Sequence, residues 1–149
     1  MSRSHVMGAR APPMSDLANL KPGLQGRASL IVSEAMTAPR MGSGQIPVFA
    51  SPMMIAAMEA AAVDCIERLL PAGHASLGTH LDVAHSAPSP IGARITASAE
   101  LATIEGRTVT FRVEARDEHE IIGSGTHTRV IVDAARFAAN IARKHAPQA

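Results

Sequence analysis

Glu59 is the one acidic residue in the apolar run from Met53 to Val63. Its neighbours three and four positions away on a helix are Ile55, Ala56, Ala62 and Val63, none of which can pair with a carboxylate. An unpaired buried charge is expensive, so a buried Glu59 must either rise in pKa or find a partner elsewhere in the fold. The structural alternative is a solvent-facing seam of the helix. His85 closes the apolar face of a strand and leads into Ser86-Ala87-Pro88-Ser89-Pro90-Ile91-Gly92, a rigid turn that would hold the strand end in place. Alone, such a histidine is more often a core or rim residue; paired with a glutamate it can act as general acid or base near neutral pH. Ser51 offers a hydroxyl, but it is also a good helix N-cap directly before Pro52. An ideal helix would separate Ser51 from Glu59 by about 12 Å. The two could act together only if the helix began irregularly, if substrate bridged them, or if a dimer completed the site.

Gly78, Gly123 and Gly125 fall inside strand-like segments. Glycine there marks a bulge or a close approach of ligand or backbone, and a structural bulge is the expectation for Gly123-Ser124-Gly125. Arg129 alternates with Gly123, Gly125, His127 and Ile131. It reads as a salt-bridge or exposed strand residue, or as a group that binds a phosphate or carbonyl. His74, His80, His119 and His127 have no metal-site spacing, so no metal is expected.

The elements that must position these residues follow from period and punctuation. Arg27 to Met36 is apolar enough for a strand. Thr37 to Pro47 is full of breakers and predicts a loop. A helix starts at Ser51-Pro52 and runs to about Leu70, where Pro71-Ala72-Gly73 stops it. Four alternating segments follow. Ala75 to His85 places Leu77, Leu81, Val83 and His85 on one face; Ala93 to Ile104, Arg107 to Asp117 and Ile121 to Asp133 complete the set. Ala134 to about Lys144 predicts a tail helix with Phe137 and Ile141 on one face. Tight turns imply antiparallel neighbours. A long apolar helix needs cover almost all round, so the sheet should wrap it: an α+β hotdog fold, with about five antiparallel strands around one central helix. Its edge strands would pair across a homodimer.

Composition narrows the function classes. The chain has 149 residues, 46% of them apolar, with a net charge of +1. One domain over residues 17–149 is expected, after a flexible tail over residues 1–16 that is rich in Ser, Arg, Pro and Met. There is no Trp, no Tyr and only 3 Phe, against 8 Met. Near-neutral charge and missing aromatics argue against nucleic-acid binding, which uses basic faces and stacking platforms. Cys65, the single cysteine, rules out an internal disulfide and polythiolate metal sites, and points to the cytoplasm. No membrane association is expected, because the longest apolar stretch is far too short to span a bilayer.

The ordered set Val48-Phe49-Ala50-Ser51-Pro52-Met53-Met54, Met58-Glu59-Ala60-Ala61, Ser76-Leu77-Gly78-Thr79, Val83-Ala84-His85, Ala99-Glu100-Leu101, Ile104-Glu105-Gly106-Arg107 and Ile122-Gly123-Ser124-Gly125-Thr126-His127 resembles the fluoroacetyl-CoA thioesterase-like family of hotdog proteins. The resemblance implies hydrolysis of a short-chain acyl-CoA thioester by Ser51, Glu59 and His85, with Gly78 and Arg129 lining the acyl pocket. Family members more often carry threonine at the position of Ser51. Glu59 would activate water or attack directly, and His85 would serve as base or proton shuttle. No cofactor is implied beyond the coenzyme A of the substrate, and the implied assembly is a homodimer or a tetramer made of two dimers. The fluoroacetate-specific enzyme has phenylalanines just before the helix. Here Met41-Gly42-Ser43-Gly44-Gln45-Ile46-Pro47 has none, so a broader or different acyl group is expected. The competing readings are a non-catalytic acyl-CoA or small-ligand module on the same scaffold, and hydratase chemistry, for which no Asp-and-His motif is visible.

Overall fold

The computed structural model describes residues 17–145 and Pro147; the tail expected over residues 1–16 lies outside the described residues. In chain order the elements are β1 (Gln25–Ile31), α1 (Ala38–Met41), α2 (Ser51–Ile66), β2 (His74–His85), β3 (Arg94–Glu105), β4 (Thr108–Arg116), β5 (Ile121–Asp133) and α3 (Ala134–His145). The five strands form one sheet in the order β1-β3-β4-β5-β2, every pair antiparallel, which leaves β1 and β2 as its edges. The sheet packs against α2, mainly through β1, β3 and β4. This is the hotdog arrangement.

Small residues let the helix sit close to the sheet. Met54, Ala57, Met58, Ala61, Ala62, Cys65 and Ile66 are the buried residues of α2, and they meet Ile95, Ala97, Ala99, Leu101, Val109, Phe111 and Ala115 in the same core. At Gly26 the approach is closest: a Cβ there would collide with the Ala61 carbonyl and the Cys65 amide of α2. The other side of the helix is open. The predicted cover all round is therefore corrected, because one chain's sheet reaches only one side of α2. Ser51, Pro52, Ala56, Ala60 and Val63 are exposed, with Ile55 and Glu59 half-buried beside them.

Several boundaries differ from the sequence reading. β1 ends at Ile31, and Glu34–Met36 forms a 3-10 turn. The expected loop over residues 37–47 contains α1, with Pro39 in its first turn and Gly42 closing it at φ 82°. α2 ends at Ile66, and a 3-10 turn at Glu67–Leu69 completes the predicted span. The bulge expected at Gly123-Ser124-Gly125 lies at its edge: Ala115 and Arg116 of β4 pair with Gly123 and Ile121 of β5, which leaves Ile122 as the extra residue. Both glycines are close approaches: a Cβ on Gly123 would lie 2.7 Å from the Ala84 carbonyl oxygen and against the Met54 sulfur, and one on Gly125 would strike the Asp82 carbonyl. Phe137 and Ile141 of α3 are exposed. Among the described residues, no helix is long and apolar enough to cross a membrane.

Candidate functional site

Ser51 is held where the chain enters α2. Three backbone hydrogen bonds pin that segment: Ala38 N–H to the Val48 carbonyl, Phe49 N–H to the Ser89 carbonyl and Ala50 N–H to the Met36 carbonyl, each 2.9 Å. Ala50 is the N-cap and Ser51 the first helical residue, with Pro52 following, so the expectation that Ser51 caps the helix is corrected. Its hydroxyl is turned away from the helix to the Nδ1 of His85, 2.7 Å away.

His85 is the last residue of β2. The strand end is fixed by the Ser86 N–H, which donates to the Ile122 carbonyl at 2.7 Å. Phe49 meets the imidazole edge-on, with ring centroids 6.5 Å apart. Burial pushes the His85 pKa below the ordinary histidine value, partly offset by the backbone at Ala87. Its Nε2 is buried and has no hydrogen-bond partner among the described residues. Ser51 and His85 line a cavity of about 300 Å³ together with Ala38, Ser43, Val48 and Phe49.

Glu59 lies further along α2, on the uncovered side, with 39% of its side chain exposed. Both readings of this residue hold in part: it faces solvent, and it has partners from another element. Its Oε2 is 3.7 Å from Arg129 Nη1 and 4.0 Å from His127 Nε2, both on β5. Gly78 of β2 makes room for this group, since a Cβ there would stand 2.7 Å from the Glu59 Oε2 and 3.0 Å from the His127 ring. The structure thus brings Ser51 to His85, and Glu59 to Gly78 and Arg129. It records no contact between the two groups within one chain. α2 is helical from Ser51 through Ile66, so an irregular helix start does not join them.

Arg129 is 6% exposed and is held chiefly by protein groups. Its Nε donates to Ser76 Oγ at 2.7 Å, its Nη2 to the Ser76 carbonyl at 2.9 Å, and its Nη1 to His127 Nε2 at 3.1 Å. Glu67 in turn accepts from the Ser76 amide at 2.8 Å and from the Ser76 hydroxyl. Ser76, Glu67 and His127 are the residues that sequence reasoning missed. A register shift between Gly78 and His80 explains the first. Ser76 and Gly78 pair on one side of it, Leu81, Val83 and His85 on the other, and the extra residue reverses the alternation. Leu77 therefore leaves the face predicted for it, and Ser76 takes the helix side opposite Ile131. His127 did carry a signal, its place two residues before Arg129 on the same strand face.

The sequence profile of the family described as fluoroacetyl-CoA-specific thioesterase matches residues 32–135. The chain is 41% identical over 97 residues to the fluoroacetyl-CoA thioesterase of Streptantibioticus cattleyicolor, an overlap that spans 65% of this chain and 70% of that one. A variant of the fluoroacetyl-CoA thioesterase solved with acetyl-CoA superposes with a TM-score of 0.80 at 34% identity, covering 85% of this chain and 100% of that chain. A Thermus thermophilus hypothetical protein, a thioesterase superfamily member, gives 0.78 at 28% identity over 83% and 92%.

Proposed function

Because this chain belongs to the fluoroacetyl-CoA-specific thioesterase family and is a thioester hydrolase, we propose that it cleaves a short-chain acyl-CoA with Ser51, Glu59 and His85, and that the working unit is a homodimer. The observation that carries this reading is the 2.7 Å contact between Ser51 Oγ and His85 Nδ1, two residues that line one cavity. The serine hydroxyl can donate to Nδ1 or accept from it. With Nδ1–H donating to that hydroxyl, Nε2 is a bare acceptor, and it becomes a donor once it has taken up a proton. As acceptor, His85 takes a proton from the attacking water; as donor, it returns one to the departing thiolate of coenzyme A. Glu59 delivers oxygen to the thioester carbonyl, through a water it activates or by direct attack. The backbone at the Gly78–His80 bulge is the candidate donor to the developing oxyanion.

Two observations support a composite site. An ideal helix keeps Ser51 and Glu59 about 12 Å apart, and α2 is unbroken between them. The same helix leaves Ala56, Ala60 and Val63 uncovered next to the free edge β2. A second copy seated there would cover the apolar stripe, pair the edge strand, and bring Glu59 of one chain toward the Ser51–His85 pair of the other.

Substrate breadth follows from the cavity wall. No aromatic residue lies in the segment from Met41 to Pro47, and Ser43 contributes a small polar group to the lining. A broader short-chain acyl group than fluoroacetyl fits this wall. The test is release of free thiol from a panel of acyl-CoA esters, with Glu59→Ala and His85→Ala beside the wild type. Loss of turnover by at least about a hundredfold in both is expected for groups that transfer protons or oxygen; wild-type turnover in both would sink the assignment.

A further inference from the structure

His127 is completely buried beside a nearly buried arginine, and the reaction proposed above gives it no task. Its ring stacks on Phe111, with centroids 6.2 Å apart and 28° between the planes. Its Nδ1 lies 2.9 Å from the carbonyl oxygen of His80. A carbonyl can only accept, so Nδ1 carries the proton. In the neutral ring Nε2 is then a bare acceptor, and its neighbour at 3.1 Å is Arg129 Nη1, which can only donate. The two contacts require the same tautomer. Burial and then the Arg129 charge hold the ring below the ordinary histidine pKa, with the His80 carbonyl and Glu59 opposing, so the neutral form agrees with the geometry.

We infer that His127 is a positioning residue: by accepting one Nη1 hydrogen of Arg129 it directs the other toward Glu59, 3.7 Å away. The rest of the guanidinium is already gripped. Ser76 takes Nε and Nη2 through its hydroxyl and carbonyl, and Glu67 fixes Ser76 in turn. His127 thus sets the last free direction of the arginine. Its bond to His80 also ties that alignment to the bulge beside Gly78. This role rests on the reading of Glu59 as the oxygen-delivering group.

Three substitutions separate the two hydrogen bonds. His127→Gln keeps an acceptor near the position of Nε2, His127→Asn keeps a donor near that of Nδ1, and His127→Phe keeps only the ring. Loss of one buried hydrogen bond to a charged group predicts a fall in kcat of about ten- to a hundredfold for Asn and Phe, with KM within about threefold. Gln should stay within about threefold of wild-type kcat. The loss in His127→Asn should also be non-additive with Arg129→Gln, because both act through one guanidinium. Nitrogen NMR of the wild-type enzyme, which needs no variant to fold, should find the His127 ring neutral at neutral pH with its proton on Nδ1. An Nε2–H or doubly protonated ring overturns the inference, as does equal loss in Gln and Asn. If Glu59→Gln is inactive while His127→Asn matches wild type, the inference falls and the reading of Glu59 stands. If Glu59→Gln is itself fully active, that reading falls first and takes the role of His127 with it.

Discussion

A histidine that takes a proton at neutral pH must itself be neutral there, and burial keeps His85 so. The sign can be followed through. The folded chain holds this group at a lower pKa than the unfolded chain, so as pH falls the unfolded state binds the proton first. The stabilising contribution is complete above the ordinary value of about 6.5 and is lost as pH falls from there through the folded value. His127 shifts in the same direction, again chiefly from burial, and adds to the loss. Two results are expected: the acid limb of kcat/KM should lie below about pH 6.5, and the urea midpoint should drop between about pH 7 and 5. An acid limb above the ordinary histidine value would contradict the burial argument. Ser51 gives a second check. Its hydroxyl bonds His85 rather than capping α2. Ser51→Ala should therefore lower kcat by about tenfold or more while changing stability by less than about 0.5 kcal/mol, where loss of a true cap would cost about 1 kcal/mol. Ser51→Thr should keep most of the activity, since it keeps the hydroxyl.

At the scale of elements, backbone approach matters more than hydrogen-bond count. Gly26 carries β1 across α2 so closely that any Cβ meets helix backbone, which cannot yield as a side chain can. Gly26→Ala should cost about 2–3 kcal/mol, a fall of roughly 5–10 °C in Tm by thermal denaturation. Gly78→Ala should behave differently. The atom it meets first is the end of the Glu59 side chain, so activity should fall with little change in Tm. The same contrast explains what the sequence made legible. Alternation revealed the four long strands and apolar patterning the helix, because each is a repeat that survives small errors of register. Ser51 and Glu59 also had signals, a hydroxyl before proline and a lone acid in an apolar run, but the pairing of Ser51 with His85 had none, since the sequence set the histidine beside a glutamate. The extra residue between Gly78 and His80 had only Gly78 itself, which marks a bulge or a close approach without saying which. A single inserted residue reverses every later side chain yet leaves composition and local period almost unchanged. Ser76 was hidden by it, and with Ser76 the link from Glu67 to Arg129.

At the scale of the whole molecule, the open side of α2 and the free edge of β2 predict a dimer whose two sites each draw on both chains. Light scattering should give a dimer at micromolar concentration, and Val63→Arg, which places a charge on the uncovered stripe, should shift it toward monomer and lower activity together. A sharper test mixes two inactive proteins. One carries Ser51→Ala and His85→Ala; the other carries Glu59→Gln. Unfolded together and refolded in equal amounts, half of the dimers are mixed. In each mixed dimer, one site combines both defects and the other combines none. Crossed sites therefore restore about a quarter of wild-type activity. If each chain held its own complete site, every site in the mixture would carry one defect and no activity would return. The helical spacing of Ser51 and Glu59 favours the first result, whereas substrate bridging the two groups within one chain would give the second. Recovery that follows the fraction of mixed dimers, measured by tagging one partner, would tie it to the interface rather than to residual activity in either parent.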